Sequence, residues 1–93
     1  MDIEVVHHAA ERRFEAVVDG ATCVLEYRLR DGVMLIDHTE VPPAVGGRGI
    51  AGRLVRAAFD AARREGWRVA PNCSYAAQWA ERHADVQDLL TSG

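Results

Sequence analysis

Residues 41–52 read VPPAVGGRGIAG, and this stretch decides how the chain is organised. Its glycines fit the spacing G-x-G-x-x-G at Gly47, Gly49 and Gly52. A hydrophobic run ends just before it, and apolar residues at helical spacing follow it up to a second apolar run, WRVA at 67–70. Residues 33–70 therefore predict a strand, a glycine loop, a helix and a second strand, the order that joins parallel strands.

Upstream of this unit, alternating apolar residues predict strands joined by tight turns. The predicted strands are IEVVH (3–7), RFEAVVD (13–19), TCVLEYRLR (22–30) and VMLIDHTEV (33–41). Asp-Gly pairs separate the second from the third and the third from the fourth, and they match the two-residue hairpin turn. A second helix is expected after Pro71, with Tyr75 and Trp79 in one stripe. We predict an α/β (α+β) fold in which an antiparallel β-meander joins a β-α-β unit.

Length, composition and charge limit the class of protein. The 93 residues predict a single domain over 1–93, with 48% hydrophobic and 27% charged residues. A net charge of −3 argues against a nucleic-acid binder. No apolar run has the length of a membrane span, and the start lacks the layout of a secretion signal, so we expect a cytoplasmic protein. The spacing of cysteine and histidine predicts no metal site.

The glycine loop is expected to bind an anion. It lies where a strand ends and a helix begins, so unpaired amides and the helix dipole favour phosphate there. The segment from Arg48 to Arg68 carries six arginines against two acidic residues, which fits an anionic small ligand or an arginine-coated solvent face. A P-loop needs a lysine that this chain lacks, and the second half of a dinucleotide fold is missing.

The stretch GGRGIAGRLV, after a strand that ends in EVPP, resembles motif A of the GCN5-related N-acetyltransferases. The family pattern is Arg/Gln-x-x-Gly-x-Gly/Ala, and here Gly46 stands at the Arg/Gln position. The resemblance implies acetyl-CoA as cofactor and central strands that splay around it. It implies cofactor contacts from Val41, Val45, Gly46, Gly47, Arg48, Gly49, Ile50, Ala51, Gly52 and Arg53.

HTEVPP, GRGIAG, PNCSYAAQWAERH and the closing DLL resemble a subgroup of very small acetyltransferase-like proteins with a Cys-Ser-Tyr/Phe motif. That resemblance implies Cys73 and His38 as catalytic residues. The topology agrees, because Cys73 follows the strand at 67–70 and His38 ends the neighbouring strand. Cys73 also lies near a helix N-terminus, which favours a thiolate that a nearby histidine can generate.

Two catalytic schemes stay open at this level. Cys73, with His38 as base, accepts an acetyl group and passes it to an amine, or the amine attacks acetyl-CoA directly with His38 or Glu40 as base. His38 shares the alternation of Met34 and Ile36, and its alternative role is a structural hydrogen bond to Glu40.

The alternative role of Cys73 is packing in the core. For the protein as a whole, the alternative function is a non-catalytic acyl-CoA binding or sensing module. The sequence indicates neither the amine acceptor nor the oligomeric state.

Overall fold

The computed structural model describes residues 3–92. Within that range five strands form one sheet in the order β1-β2-β3-β4-β5. The strands are β1 Val6–His8, β2 Arg13–Val18, β3 Ala21–Arg30, β4 Val33–Glu40 and β5 Arg68–Pro71. The helices are α1 Ile50–Glu65 and α2 Ser74–Glu81, with short 3₁₀ segments at Ala9–Glu11, Pro43–Val45 and Ala84–Leu89.

The first four strands pair antiparallel, and tight turns join β2 to β3 and β3 to β4, as predicted, while the 3₁₀ segment Ala9–Glu11 joins β1 to β2. Asp19 and Gly20 have φ of 50° and 79°, and Asp31 and Gly32 have 51° and 77°. Two consecutive positive φ values are what a two-residue hairpin of this twist requires, and Asp-Gly accepts them at low cost. The meander is therefore set by local turn chemistry.

Helix α1 connects β4 to β5, which pair in parallel from Val33↔Arg68 to Ile36↔Pro71. Its apolar stripe faces the sheet, where Leu54, Val55 and Ala58 are fully buried. Gly66, with φ of 76°, ends the helix and donates to the carbonyl of Arg63. The predicted α/β fold, a meander joined to a β-α-β unit, is confirmed.

The first strand lies later in the chain than predicted. The sequence indicated residues 3–7, whereas β1 pairs with β2 only from Val6↔Glu15 to His8↔Arg13. Ile3 and Val5 pack against the core before the strand begins. Their apolar side chains produced the strand pattern, but burial alone does not make a sheet ladder.

Strands β4 and β5 separate after Ile36. The last paired residues are Ile36 and Pro71, and the backbone amides of Asn72 and Cys73 both donate to the Ile36 carbonyl, at 2.9 and 3.0 Å. From there to Glu40, β4 pairs with β3 alone within the described chain. The splayed strands expected from the sequence are thus present, and the opening lies between the end of β4 and the start of α2.

Candidate functional site

A row of backbone amides lies open at the start of α1. The amides from Gly47 to Gly52 have no hydrogen-bond acceptor anywhere in residues 3–92. Gly49 is the residue that precedes the helix, and it has no side chain to cap the first turn. Gly47 and Gly49 adopt φ of 77° and 76°, which glycine reaches without strain. The loop therefore presents six consecutive donors and the positive end of the helix dipole.

The open row begins two residues later than the predicted cofactor segment. The amides of Val45 and Gly46 donate to the carbonyls of Pro42 and Pro43, both at 3.1 Å. The Val45 side chain is only 2% exposed and belongs to the core. These two residues anchor the loop, and their amides are already used.

The two arginines of the predicted cofactor segment have different surroundings. The Arg48 Nη1 donates to Asp19 Oδ2 at 2.5 Å, so Arg48 links the glycine loop to the β2–β3 turn. Arg53 is exposed on the first turns of α1 and makes no hydrogen bond or ion pair within the described residues. Arg53 is thus available to a ligand, while Arg48 first has to leave Asp19.

A cleft of ≈ 260 Å³ lies over this loop. Its lining residues are Val41, Gly46, Gly47, Gly49, Ile50, Ala51 and Tyr75. Tyr75 belongs to α2, so α2 contributes to the wall of the cleft. Its hydroxyl comes close to α1 at Gly52, where a Cβ would lie 3.4 Å from both the Tyr75 hydroxyl and the Trp79 Nε1. The sequence pattern placed Tyr75 in one stripe with Trp79 and did not assign it to a cleft.

Cys73 lies at the opening between β4 and β5. It is the N-cap of α2, and its Sγ accepts a hydrogen bond from the Ala76 amide at 3.3 Å. It is half-buried against the core. Cys23, the other cysteine, is fully buried, and burial raises the pKa of its thiol. Of the two, Cys73 alone is partly exposed and lies at the start of a helix.

A β-bulge decides which side chains of β4 face Cys73. Ile36 pairs with Tyr27 and His38 pairs with Glu26, so Asp37 has no partner on β3. One extra residue inverts the alternation that follows it. His38 therefore points to the face opposite Ile36. The expectation that His38 shares a strand face with Met34 and Ile36 was wrong.

The residue that the bulge turns toward the core is Thr39. It pairs with Leu25, which is fully buried on the helix side of the sheet. The Thr39 Oγ1 lies 3.6 Å from the Cys73 Sγ. On the other face, the His38 Nε2 lies 3.3 Å from Glu40 Oε1, and both side chains are more than half exposed. The structure thus brings Thr39 to Cys73 and joins His38 to Glu40.

Side chains on β3 and just after β5 bind the bulged residue, Asp37. The Arg28 Nε and Nη2 donate to the two Asp37 oxygens at 2.5 and 3.0 Å, and the Asn72 Nδ2 donates to Oδ1 at 3.3 Å. The bonds from Arg28 chiefly lower the pKa of the Asp37 carboxyl. Asp37 therefore stays ionised at neutral pH and fixes the inverted register of Thr39 and His38.

Residues 3–92 contain no cluster of His, Cys, Asp and Glu that could hold a metal ion. In the same range no helix is long and apolar enough to cross a membrane.

Fold and site together define a class of protein. A helix that follows a glycine loop, beside two parallel strands that separate, is an arrangement suited to an anionic ligand next to an open strand edge. The model of the GCN5-related N-acetyl-transferase family matches residues 13–89. The chain belongs to the GCN5-related N-acetyltransferase family.

Similar proteins cover almost the whole chain. Protein NATD1 of Bos taurus is 33% identical over 91 residues, which is 94% of this chain and 80% of the relative. Protein NATD1 of Xenopus tropicalis is 34% identical over 94% of this chain and 83% of the relative. The solution structure of a GCN5-like protein from Staphylococcus aureus superposes with a TM-score of 0.75, at 28% identity, over 97% of this chain and 89% of its own. These likenesses agree with the family and with the observed fold.

Proposed function

We propose that this protein is an acetyl-CoA-dependent N-acetyltransferase. The observation that carries the proposal is the row of open amides from Gly47 to Gly52. In a member of this family, such a row suits the pyrophosphate of CoA, because a diphosphate accepts several hydrogen bonds at once and is stabilised by the helix dipole. We include in the proposal a single domain over 1–93, a place in the cytoplasm, and the subgroup of very small family members with a Cys-Ser-Tyr/Phe motif.

The cofactor set that we propose follows the geometry of the loop. Gly47, Arg48, Gly49, Ile50, Ala51 and Gly52 offer amides, while Val45 and Gly46 shape the loop. Val41 lines the cleft, and the open edge of β4 leads from it back to Cys73. Arg53 is the free cation beside the open amides in the described chain, and it is suited to a further phosphate of the cofactor.

The catalytic group that we propose is Cys73 with His38 and Glu40. The Cys73 thiolate attacks the carbonyl carbon of the thioester, the bond to the CoA sulfur breaks, and CoA leaves as a thiolate that takes up a proton. An amine then attacks the acetyl carbon on Cys73, which leaves as thiolate, and the amine proton passes through solvent to His38, because His38 faces the other side of β4 and does not contact Cys73 directly. Glu40 stabilises the protonated imidazole at its present separation of 3.3 Å. In the alternative scheme the amine attacks acetyl-CoA directly, with His38 or Glu40 as base.

Mass spectrometry after mixing with acetyl-CoA separates the two schemes. The first requires an acetyl group on Cys73, and Cys73→Ser should abolish that labelling while its hydroxyl still caps α2. Cys23→Ala is the matched control, since Cys23 is fully buried and should carry no label in any variant. Full turnover by Cys73→Ala would eliminate the acyl-enzyme and leave the direct attack.

Binding is tested separately by a ¹⁵N–¹H titration with CoA. We expect the largest amide shifts at residues 47–52, because these donors gain an acceptor. NAD at the same concentration should leave them unchanged, since the second half of a dinucleotide fold is missing. Shifts spread over the sheet with none in the loop would contradict the proposed cofactor site.

A non-catalytic acyl-CoA binding module is the second candidate function. It is favoured by the exposure of His38 and Glu40, whose side chains are 53% and 65% exposed. Residues 3–92 place no helix on that face of the sheet to enclose an acceptor. Binding of CoA without acetyl transfer to a panel of small amines, polyamines and peptide amines would support the module and contradict the enzyme.

A further inference from the structure

The Thr39 hydroxyl has one polar neighbour in the described structure, the Cys73 sulfur at 3.6 Å. Thr39 is half-buried, and no other acceptor or donor of residues 3–92 contacts its Oγ1. A partly buried hydroxyl gains from any partner it can reach. The contact is therefore the main polar interaction of this side chain.

The sulfur has two hydrogen-bond partners within reach. The Ala76 amide donates to Sγ from the first turn of α2, at 3.3 Å, and the Thr39 hydroxyl approaches from β4, where either atom of the pair can be the donor. An ionised sulfur has no proton to donate, so beside a thiolate the Thr39 hydroxyl is the donor. No ionisable side chain of the described chain hydrogen-bonds this sulfur.

The bulge excludes the neighbouring histidine from this arrangement. His38 faces the opposite side of the sheet, where Glu40 is its partner. Asp37, held by Arg28 and Asn72, fixes that register. The pairing of Thr39 with the sulfur thus follows from the backbone, and rotation of a single side chain cannot exchange Thr39 for His38.

We propose that Thr39 is the positioning residue of Cys73: its hydroxyl donates a hydrogen bond to the thiolate, stabilises it and orients it toward the opening between β4 and β5. Thr39 keeps its own proton throughout. Its importance for acetyl transfer rests on the function proposed above, whereas its effect on the thiol is independent of any CoA ligand.

The experiment measures alkylation of Cys73 by iodoacetamide between pH 6 and 9, with peptide mass spectrometry to read each cysteine. Thr39→Val removes the hydroxyl with little change in shape, and Thr39→Ser retains it. Thr22→Val is the matched control. It makes the same change at an exposed position of β3, on the face opposite buried Cys23. His38→Gln tests the other candidate partner.

We expect Thr39→Val to slow alkylation of Cys73 at pH 7 by about three- to tenfold and to move the pH–rate profile to higher pH. Thr39→Ser should restore most of the rate, and Thr22→Val should alkylate like the unmodified protein. An unchanged profile in Thr39→Val, or the same slowing in Thr22→Val, would overturn the proposal. A slower alkylation of Cys73 in His38→Gln, with no change in Thr39→Val, would also overturn the proposal.

The outcome also separates this inference from the proposed function. If CoA fails to bind while Thr39→Val still slows alkylation, the acetyltransferase proposal falls and the role of Thr39 stands. If acetyl-CoA labels Cys73 equally fast in Thr39→Val and the unmodified protein, the role of Thr39 falls and the enzyme stands. Circular dichroism of each variant checks that the fold is retained.

Discussion

Single residues of the glycine loop serve separate purposes. Gly49 is required by its backbone, since its φ is 76° where α1 begins. Gly52 is a helical residue whose missing side chain makes room for Tyr75 and Trp79. Gly46, with φ of −66°, needs neither property, and the nearest atom that its Cβ would meet is the Pro43 carbonyl oxygen, at an ordinary 3.5 Å. The backbone at Gly46 thus accepts the side chain that the family pattern places there.

The different roles of Gly49 and Gly52 can be tested by the stability of two alanine variants. Gly49→Ala should lower the free energy of unfolding by roughly 1–2 kcal/mol, because a Cβ strains the left-handed conformation. Gly52→Ala should be neutral or stabilising by up to about 1 kcal/mol, since alanine favours the helix and its Cβ makes contacts of ordinary length. Urea denaturation measures both. Equal losses would show that Tyr75 and Trp79 leave no room for a Cβ at Gly52.

Among the elements, the last 3₁₀ segment is attached to α1 by two ion pairs. The Arg56 Nη1 lies 2.6 Å from Asp85 Oδ2, and the Arg63 Nη2 lies 2.9 Å from Asp88 Oδ1. Arg56 also lies over the Trp79 ring, 4.8 Å from its centroid, and so connects α1 to α2 as well. Exposed pairs contribute little by themselves, so the stacked arginine should matter more.

We expect Arg56→Ala to lower the melting temperature more than Arg63→Ala. Both variants lose an ion pair with the same segment, but only the first loses the contact with Trp79. High salt screens exposed ion pairs, so it should reduce the effect of Arg63→Ala to the loss of its hydrogen bond to the Asp85 carbonyl, while a larger part of the effect of Arg56→Ala should remain. Thermal denaturation in low and high salt measures this. Equal losses in both salts would contradict a role for the ring contact.

At the scale of the whole molecule, stability depends on pH through His7. Its Nε2 lies 2.6 Å from the Tyr27 hydroxyl and its ring stacks on Phe14 at 4.0 Å. Burial, followed by the charge of Arg64, lowers the pKa of His7 below its ordinary value. The folded protein therefore prefers neutral His7, whereas the unfolded chain takes up a proton near its ordinary pKa of 6.5.

The sign of the effect follows from proton linkage. Below about pH 6.5 the unfolded state binds more protons, so the free energy of unfolding falls as pH falls, until His7 is protonated in the folded state too. Melting curves between pH 5 and 8 should show this loss, and His7→Gln should flatten it. His8→Gln is the control and should keep it, because His7 remains. The carboxyl of Asp37, whose pKa is lowered, loses its contribution only below its ordinary value of 3.8, in a separate window.

Most of the fold could be predicted from local chemistry. The Asp-Gly turns, the period change after Gly52 and the helix end at Gly66 each depend on residues close in sequence. The bounds of β1 could not be predicted in this way, since Ile3 and Val5 pack against the core without pairing with β2. The face of β4 on which His38 lies could not be predicted either. The residues from Asp37 to Glu40 are all polar, so they show no apolar alternation that would reveal a bulge. The open amides at the loop were predictable, but the contact between Thr39 and Cys73 depends on a register that only the folded sheet defines.

The bulge at Asp37 has a consequence for redesign of this protein. Deleting that one residue would remove the bulge and leave Ile36, His38 and Thr39 in regular alternation opposite Tyr27, Glu26 and Leu25, so Thr39 would still face the core and His38 would still face away from it. Arg28 and Asn72 would lose the carboxylate that they bind, while the sulfur would keep its hydroxyl partner. A single-codon deletion could therefore simplify this edge of the sheet without exchanging the side chain beside the thiol.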